Sequence, residues 1–234
     1  MISVVKALPH SFYNRPTLTV ARELLGARLV RILDGVKLVG LITETEAYIG
    51  ETDLACHAKA GLTPRTAPMF GPPGHAYVYF TYGNHWMLNV VTEKEGFPAA
   101  VLIRAIQPIE GIEVMVERRQ GRDTLGPGKL TQALGITKSE NNVNLTEANS
   151  SLWIEAGQVI PEKSVTIGPR VGLNKTPEPW LSKPWRFLVK DYVIASRTSL
   201  APPARAGVTK QSPNKQEIAS LGEHLLAMTN IEEI

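Results

Sequence analysis

Asp34-Gly35 lies between two runs that read as strands, Arg28–Leu33 and Lys37–Glu46. An Asp-Gly pair in that position favours a two-residue turn with both φ angles positive, the geometry that joins neighbouring antiparallel strands. A second pair of runs, 75–81 and 86–91, flanks the tight turn Tyr82-Gly83-Asn84-His85. Ala99–Ala105 reads as a further buried strand, and short strands are expected at Leu152–Glu155 and Trp185–Ala195. Parallel neighbours would need crossovers of a dozen residues or more, so consecutive hairpins commit the chain to an antiparallel sheet. Helical spacing of Val20, Ala21, Leu24 and Leu25 predicts an opening helix capped by Thr17 and ended at Gly26. Further helices are expected over 110–119 and 129–135, and a long loop over 50–75. A loop of that length inside a domain is usually functional. The expectation is a single α+β domain over residues 1–200, built around an antiparallel β-sheet with a protruding β-hairpin and surrounding helices. Residues 201–234 read as a peripheral polar and acidic tail with a short helix at Gln216–Met228.

Composition removes several classes of function. The chain is 43% hydrophobic and 20% charged, enough for a packed core and unlike a disordered tail, a collagen fibre or a coiled-coil rod. No apolar run approaches the ~20 residues of a membrane span. Met1-Ile2-Ser3-Val4-Val5-Lys6 lacks the layout of a secretory signal, so a cytoplasmic protein is expected, nucleoid-associated if bacterial. The single cysteine, Cys56, allows no internal disulfide and no four-cysteine zinc site. Charge is uneven: residues 101–210 hold 15 Lys+Arg against 10 Asp+Glu, whereas the last 24 residues hold 1 against 4. A basic middle suits a polyanionic partner.

Two clusters could carry chemistry. Glu44 and Glu46 are two apart in a strand, so they share a face, and two close carboxylates disfavour double ionisation. Taken alone, the pair reads first as a solvent-facing polar edge; Tyr48 next to it and His57 in the adjacent loop point instead to chemistry. Tyr77 and Tyr79 share one face of the next hairpin, while Tyr82 sits at its turn, where an exposed ring needs something to stack on. Tyr77 and Phe80 are expected in the core. His57, His75 and His85 match no standard metal spacing, so no metal is expected. Cys56 beside His57 reads as a packed thiol rather than a nucleophile. The chain has no HExxH, no Walker loop and no GxSxG elbow.

The run Glu44-Thr-Glu-Ala-Tyr-Ile-Gly50, then His57, Met69-Phe-Gly-Pro-Pro-Gly74, Tyr77-Val-Tyr79, Tyr82-Gly83, Asn89, Leu102-Ile-Arg-Ala105 and Gly126-Pro-Gly-Lys-Leu130 resembles the alkyladenine (3-methyladenine) DNA glycosylase family. Order and spacing are kept from about Phe12 to Ala195. The resemblance implies a monomeric, monofunctional glycosylase that flips alkylated or deaminated purines out of duplex DNA and hydrolyses the N-glycosidic bond without a cofactor. It implies that Glu46 is the general base for water and that Arg104 helps hold that water. It makes Tyr48, His57 and Tyr79 the walls around the flipped base, Tyr82 the wedge in the vacated stack, and Asn89 the residue that rejects the 2-amino group of guanine. Glu44 receives no role and is expected to be structural or supporting.

Electron-rich tyrosine faces attract positively charged alkylated purines by ~0.5–2 kcal/mol. No lysine stands at the matched pocket positions, so hydrolysis to an abasic site is expected rather than Schiff-base strand cleavage. Arg118, Arg119, Arg122, Lys129, Arg170, Lys175, Lys183 and Arg186 supply the positive excess, and Lys129 and Arg170 are the two expected on the DNA backbone. A lesion-binding module without cleavage, or a hydrolase of free nucleosides, would be the rival classes. The first would not need Glu46, and the second would need neither a wedge nor a basic face.

Overall fold

Asp34 and Gly35 both have positive φ, 51° and 79°, and they join β1 (Arg28–Leu33) to β2 (Val36–Ile49) as the Asp-Gly pair requires. The structure is a computed structural model that describes residues 6–81, 83–173 and 175–190. The remaining strands are β3 (Ala76–Thr81), β4 (His85–Val91), β5 (Ala99–Glu110), β6 (Leu152–Glu155), β7 (Val165–Gly168) and β8 (Arg186–Val189). They form one curled sheet of order β3-β4-β5-β2-β1-β6, and every pairing among the described residues is antiparallel. Along its far edge β2 changes partner: its first half pairs β1, and Glu44–Glu46 pair β8, which in turn pairs β7. With α1 (His10–Tyr13), α2 (Thr17–Glu23), α3 (Ile112–Arg118) and α4 (Pro127–Leu134), this is the α+β domain that the hairpins demanded.

Side-chain alternation divides the sheet into two faces. Val78, Leu88, Val90, Val101, Ile103 and Ala47 join the main core, where Val20 and Ala21 of α2, Leu24 at its C-terminal end, and Leu130, Ala133 and Leu134 of α4 cover them. Their strand neighbours Tyr77, Val91 and Ala100 face the other way and pack with Cys56, Ala58 and Met69 from the 50–75 segment. That second, smaller cluster supports the site.

Between β2 and β5 the register shifts three times, first at Val39/Gly40 and then on either side of Glu44. Ile42 pairs Ile106, Glu44 pairs Ala105 and Thr45 pairs Ile103, so Thr43 and then Arg104 are each left out of the ladder. Each is a bulge residue, and a bulge reverses which face the following residues occupy. Leu38 and Ile42 therefore point into the main core, while Glu46 and Tyr48, of the same parity, lie on the opposite face.

Several local expectations are revised. Thr17 does not cap α2 but is its first residue; its N–H and Oγ1 both reach Oε1 of Glu93, at 3.0 and 2.8 Å. A distant carboxylate thus satisfies the helix start that a local cap was expected to satisfy. The fifth strand runs on to Glu110, and Pro108 is tolerated because the register shifts beside it. The helix expected over 110–119 is shortened to Ile112–Arg118, after Gly111 in the left-handed region at φ 68°. The 50–75 loop contains two 3-10 turns, His57–Ala60 and Ala67–Phe70. Phe80 is not core: it is 43% exposed, with its ring 4.9 Å from that of Trp86. Tyr82, the last part of the strand expected at Trp185–Ala195, and the helix expected at Gln216–Met228 lie outside the described residues.

Candidate active site

Glu46 is completely buried, yet two hydrogen-bond donors and a guanidinium converge on its carboxylate. Tyr48 Oη donates to Oε2 at 2.9 Å, the Val171 N–H donates to Oε1 at 2.7 Å, and Arg104 Nη1 lies 3.3 Å from Oε1. Burial is the largest influence on this acid and pushes its pKa above the ordinary carboxylate range. Arg104, the Val171 amide and Tyr48 pull it back in part, and Glu44 adds a small upward push.

Arg104 points at both acids because its bulge removes it from the ladder: Nε donates to Glu44 Oε1 at 2.9 Å. Glu44 also accepts from Arg186 Nη1 at 3.0 Å. The polar-edge reading of the two glutamates is therefore set aside; Glu44 is a bridge that fixes Arg104, and Glu46 is interior.

Above this acid lies a cavity of about 300 Å³, near the lower end of small-ligand pockets. Tyr48, His57, Tyr79, Asn89 and Arg104 all line it, so residues from β2, the first 3-10 turn, β3, β4 and β5 meet at one place. Glu46 is not on the wall; it sits behind Tyr48, Arg104 and Val171, each of which touches both it and the cavity. His57 stands edge-on to Tyr79 with ring centres 4.5 Å apart, and its Nδ1 lies 3.0 Å from Tyr77 Oη. Burial, with Arg65 and Lys59 nearby, lowers its pKa to about 4, so the ring is neutral at physiological pH. Tyr77 is buried as expected and also contributes to the lining. Asn89 pairs with Tyr77 across the hairpin and donates from Nδ2 to the Tyr77 carbonyl at 3.0 Å, which fixes its amide at the cavity.

Proteins of known sequence give this arrangement a context. The chain is 50% identical over 196 residues to a protein of Myxococcus xanthus, covering 84% of this chain and 95% of that relative. It is 48% identical over 195 residues to one of Methanocella arvoryzae, covering 81% and 96%. Both relatives carry the name "Putative 3-methyladenine DNA glycosylase". The family model described as Methylpurine-DNA glycosylase (MPG) matches residues 11–193. The chain belongs to the methylpurine-DNA glycosylase family. It is a DNA-repair hydrolase that cleaves N-glycosidic bonds.

In this glycosylase one expected DNA contact is corrected. Arg170 does not face solvent: its side chain is 0% exposed and pairs with Asp53, also 0% exposed. Its Nη1 donates to the Ala47 carbonyl at 3.0 Å, and its guanidinium carbon lies 4.7 Å from the Tyr48 ring centre and 4.9 Å from that of Trp185. A group so enclosed cannot reach a phosphate. Lys129 is 44% exposed and holds Asp123 at 3.0 Å.

The sequence reading missed Asp53, Val171 and Arg65. Asp53 looked like one polar residue of a loop, and Val171 acts through its backbone, which no side-chain pattern reveals. Arg65 stands over the Tyr79 ring at 5.3 Å, a contact made across the fold. Cys56 is buried, accepts from the Ala58 N–H at 3.4 Å, and has its thiol pKa pushed up to about 12 by burial, so it is the packed thiol expected.

Proposed function

We propose that this glycosylase removes alkylated or deaminated purines from duplex DNA, with Glu46 activating the water that attacks C1′ of the sugar. The observation that carries the reading is the carboxylate buried behind an aromatic cavity, held by two hydrogen bonds and paired with the Arg104 guanidinium. A carboxylate offers about four acceptor positions; Tyr48 and the Val171 amide fill two of them, and the reaction needs the water at another. Water oxygen bonds to C1′ as the C1′–N bond breaks, its proton passes to Glu46, and the base leaves with the bonding electrons. The oxocarbenium-like state between them is stabilised by the nearby carboxylate. Arg104 favours the ionised form of Glu46 against the effect of burial, and it lies at the cavity wall.

Tyr48, His57 and Tyr79 take the everted base as a stacking slot, and neutral His57 does not repel a positively charged purine. Such a purine leaves as a neutral base; an uncharged lesion must gain a proton or a hydrogen bond as it departs. Asn89 rejects the 2-amino group of guanine. Extrusion costs a few kcal/mol, and Tyr82, at the hairpin turn in the sequence, offsets part of that through stacking of ~1–3 kcal/mol. Lys129 contacts phosphate. The product is an abasic site without strand cleavage, and the enzyme acts as a monomer.

The decisive comparison is wild type against Glu46→Gln on a duplex with one hypoxanthine. The variant should bind the duplex as wild type does and excise at least ~100-fold more slowly, the scale of a general base. Excision at the wild-type rate would remove Glu46 from its role, and a wild-type protein that binds without excising would leave a lesion-binding module.

A further inference from the structure

Behind the Tyr48 side of the cavity, one buried ion pair ties together three segments distant in sequence. Asp53 accepts from both terminal nitrogens of Arg170, with Nη2 at 2.9 Å, and also from the backbone N–H of Ile49 and Ala55, at 3.3 and 3.0 Å. Arg170 donates in turn to the carbonyl of Ala47, the residue between Glu46 and Tyr48. The Ala47 N–H donates to the Trp185 carbonyl at 2.9 Å. The guanidinium lies close to the ring centres of both Tyr48 and Trp185. Arg170 also immediately precedes Val171, whose amide binds Glu46. Neither Asp53 nor Arg170 lines the cavity, whereas Tyr48, Ala55 and Val171, which they hold or adjoin, do, so the pair belongs to the support of the site.

We propose that Asp53 and Arg170 are positioning residues for the excision reaction: their ion pair clamps the Tyr48 ring and the Val171 amide onto the Glu46 carboxylate. The proposal rests on the reading of Glu46 as the base. The physical case is geometric. Val171 is 49% exposed, on a segment between β7 and β8, and little apolar burial of its own would hold its amide 2.7 Å from an acid. The preceding residue supplies the anchor instead. A planar guanidinium can meet the carboxylate through two nitrogens, reach a carbonyl and lie against two aromatic rings at once; an ammonium cannot.

The test uses the full chain as Arg170→Lys and Asp53→Asn, with Leu152→Ala as a control that opens the main core away from this pair. Leu152 is fully buried. Single-turnover excision of hypoxanthine from a duplex is followed from about pH 5 to about pH 9, well below each variant's melting temperature, with Glu46→Gln alongside. The groups facing Glu46 are Arg104, Glu44, Tyr48 and the Val171 amide. Arg170→Lys and Asp53→Asn should lower the maximal rate ~10-fold or more while duplex affinity changes by less than about threefold. Their acidic limb should move upward by about one pH unit, because a carboxylate that loses hydrogen bonds is harder to ionise. Leu152→Ala should lose thermal stability with its limb in the wild-type place. A limb unmoved or moved downward in both test variants, with wild type still dependent on Glu46, overturns the positioning role alone. Full activity in Glu46→Gln removes the base itself, and the proposal falls with it.

Discussion

Tyr48 and Glu46, two residues apart on one strand face, are joined by a 2.9 Å hydrogen bond from the phenol to Oε2, so a wall of the cavity is also a ligand of the buried acid. The bond favours the ionised carboxylate, yet burial outweighs it and the pKa of Glu46 is still raised. The folded protein therefore holds this proton more tightly than the unfolded chain. Stability contributed by the protonated acid is present below the unfolded pKa and is lost as pH rises toward the folded one. Glu46→Gln removes that penalty. Its melting temperature should exceed that of wild type at neutral pH by a few degrees, on the scale of ~2–4 °C per kcal/mol for a chain of this size. The advantage should grow from about pH 4.5 upward, the ordinary carboxylate range. Melting curves across that range check it; an advantage that shrinks with rising pH would mean the donors outweigh burial.

His57 carries the opposite shift. Its pKa falls from 6.5 to about 4, first through burial and then through Arg65 and Lys59. The unfolded chain takes up the proton at higher pH than the folded one, so stability from this group is present above the ordinary histidine range and is lost as pH falls toward 4. The ring carbon signal of His57 in a side-chain NMR titration should stay flat from about pH 8 to about pH 5 and change only near 4. A midpoint near the ordinary value would show a wetter cavity.

Lys129 tests the backbone contact that survives the correction of Arg170. It is half-exposed, and its partner Asp123 is partly exposed as well. A phosphate contact is released with its counterions, so Lys129→Ala should weaken damaged and undamaged duplex alike and reduce the slope of log affinity against log salt by about 0.9. Equilibrium binding at several salt concentrations measures this. An unchanged slope would place Lys129 off the DNA.

Hairpins were legible because their determinants are local. Asp34-Gly35 adopts the two positive φ values its chemistry favours, and alternation puts Tyr77 and Val78 on opposite faces of β3. The pocket residues were legible for a different reason: Glu46, Tyr48, His57, Tyr79, Asn89 and Arg104 were named from a resemblance, and the cavity then brought five of them to its wall with Glu46 behind. Thr17 misled because the same side chain that caps helices can be held by a carboxylate 76 positions away.

Pattern alone decided the two hairpins and the α+β class, since these follow from neighbouring side chains and backbone sterics; β7 and the last residues of β5 carried no such local signal. Tertiary structure decided which way the glutamates look and what holds them. The bulge at Thr43 depends on how two strands register, and it turns Glu46 away from the core that Ile42 enters. Arg170, expected on the DNA backbone, instead meets Asp53 across 117 positions of chain. Burial of a charge is stable only against a partner, and no stretch of sequence says which partner the fold will deliver.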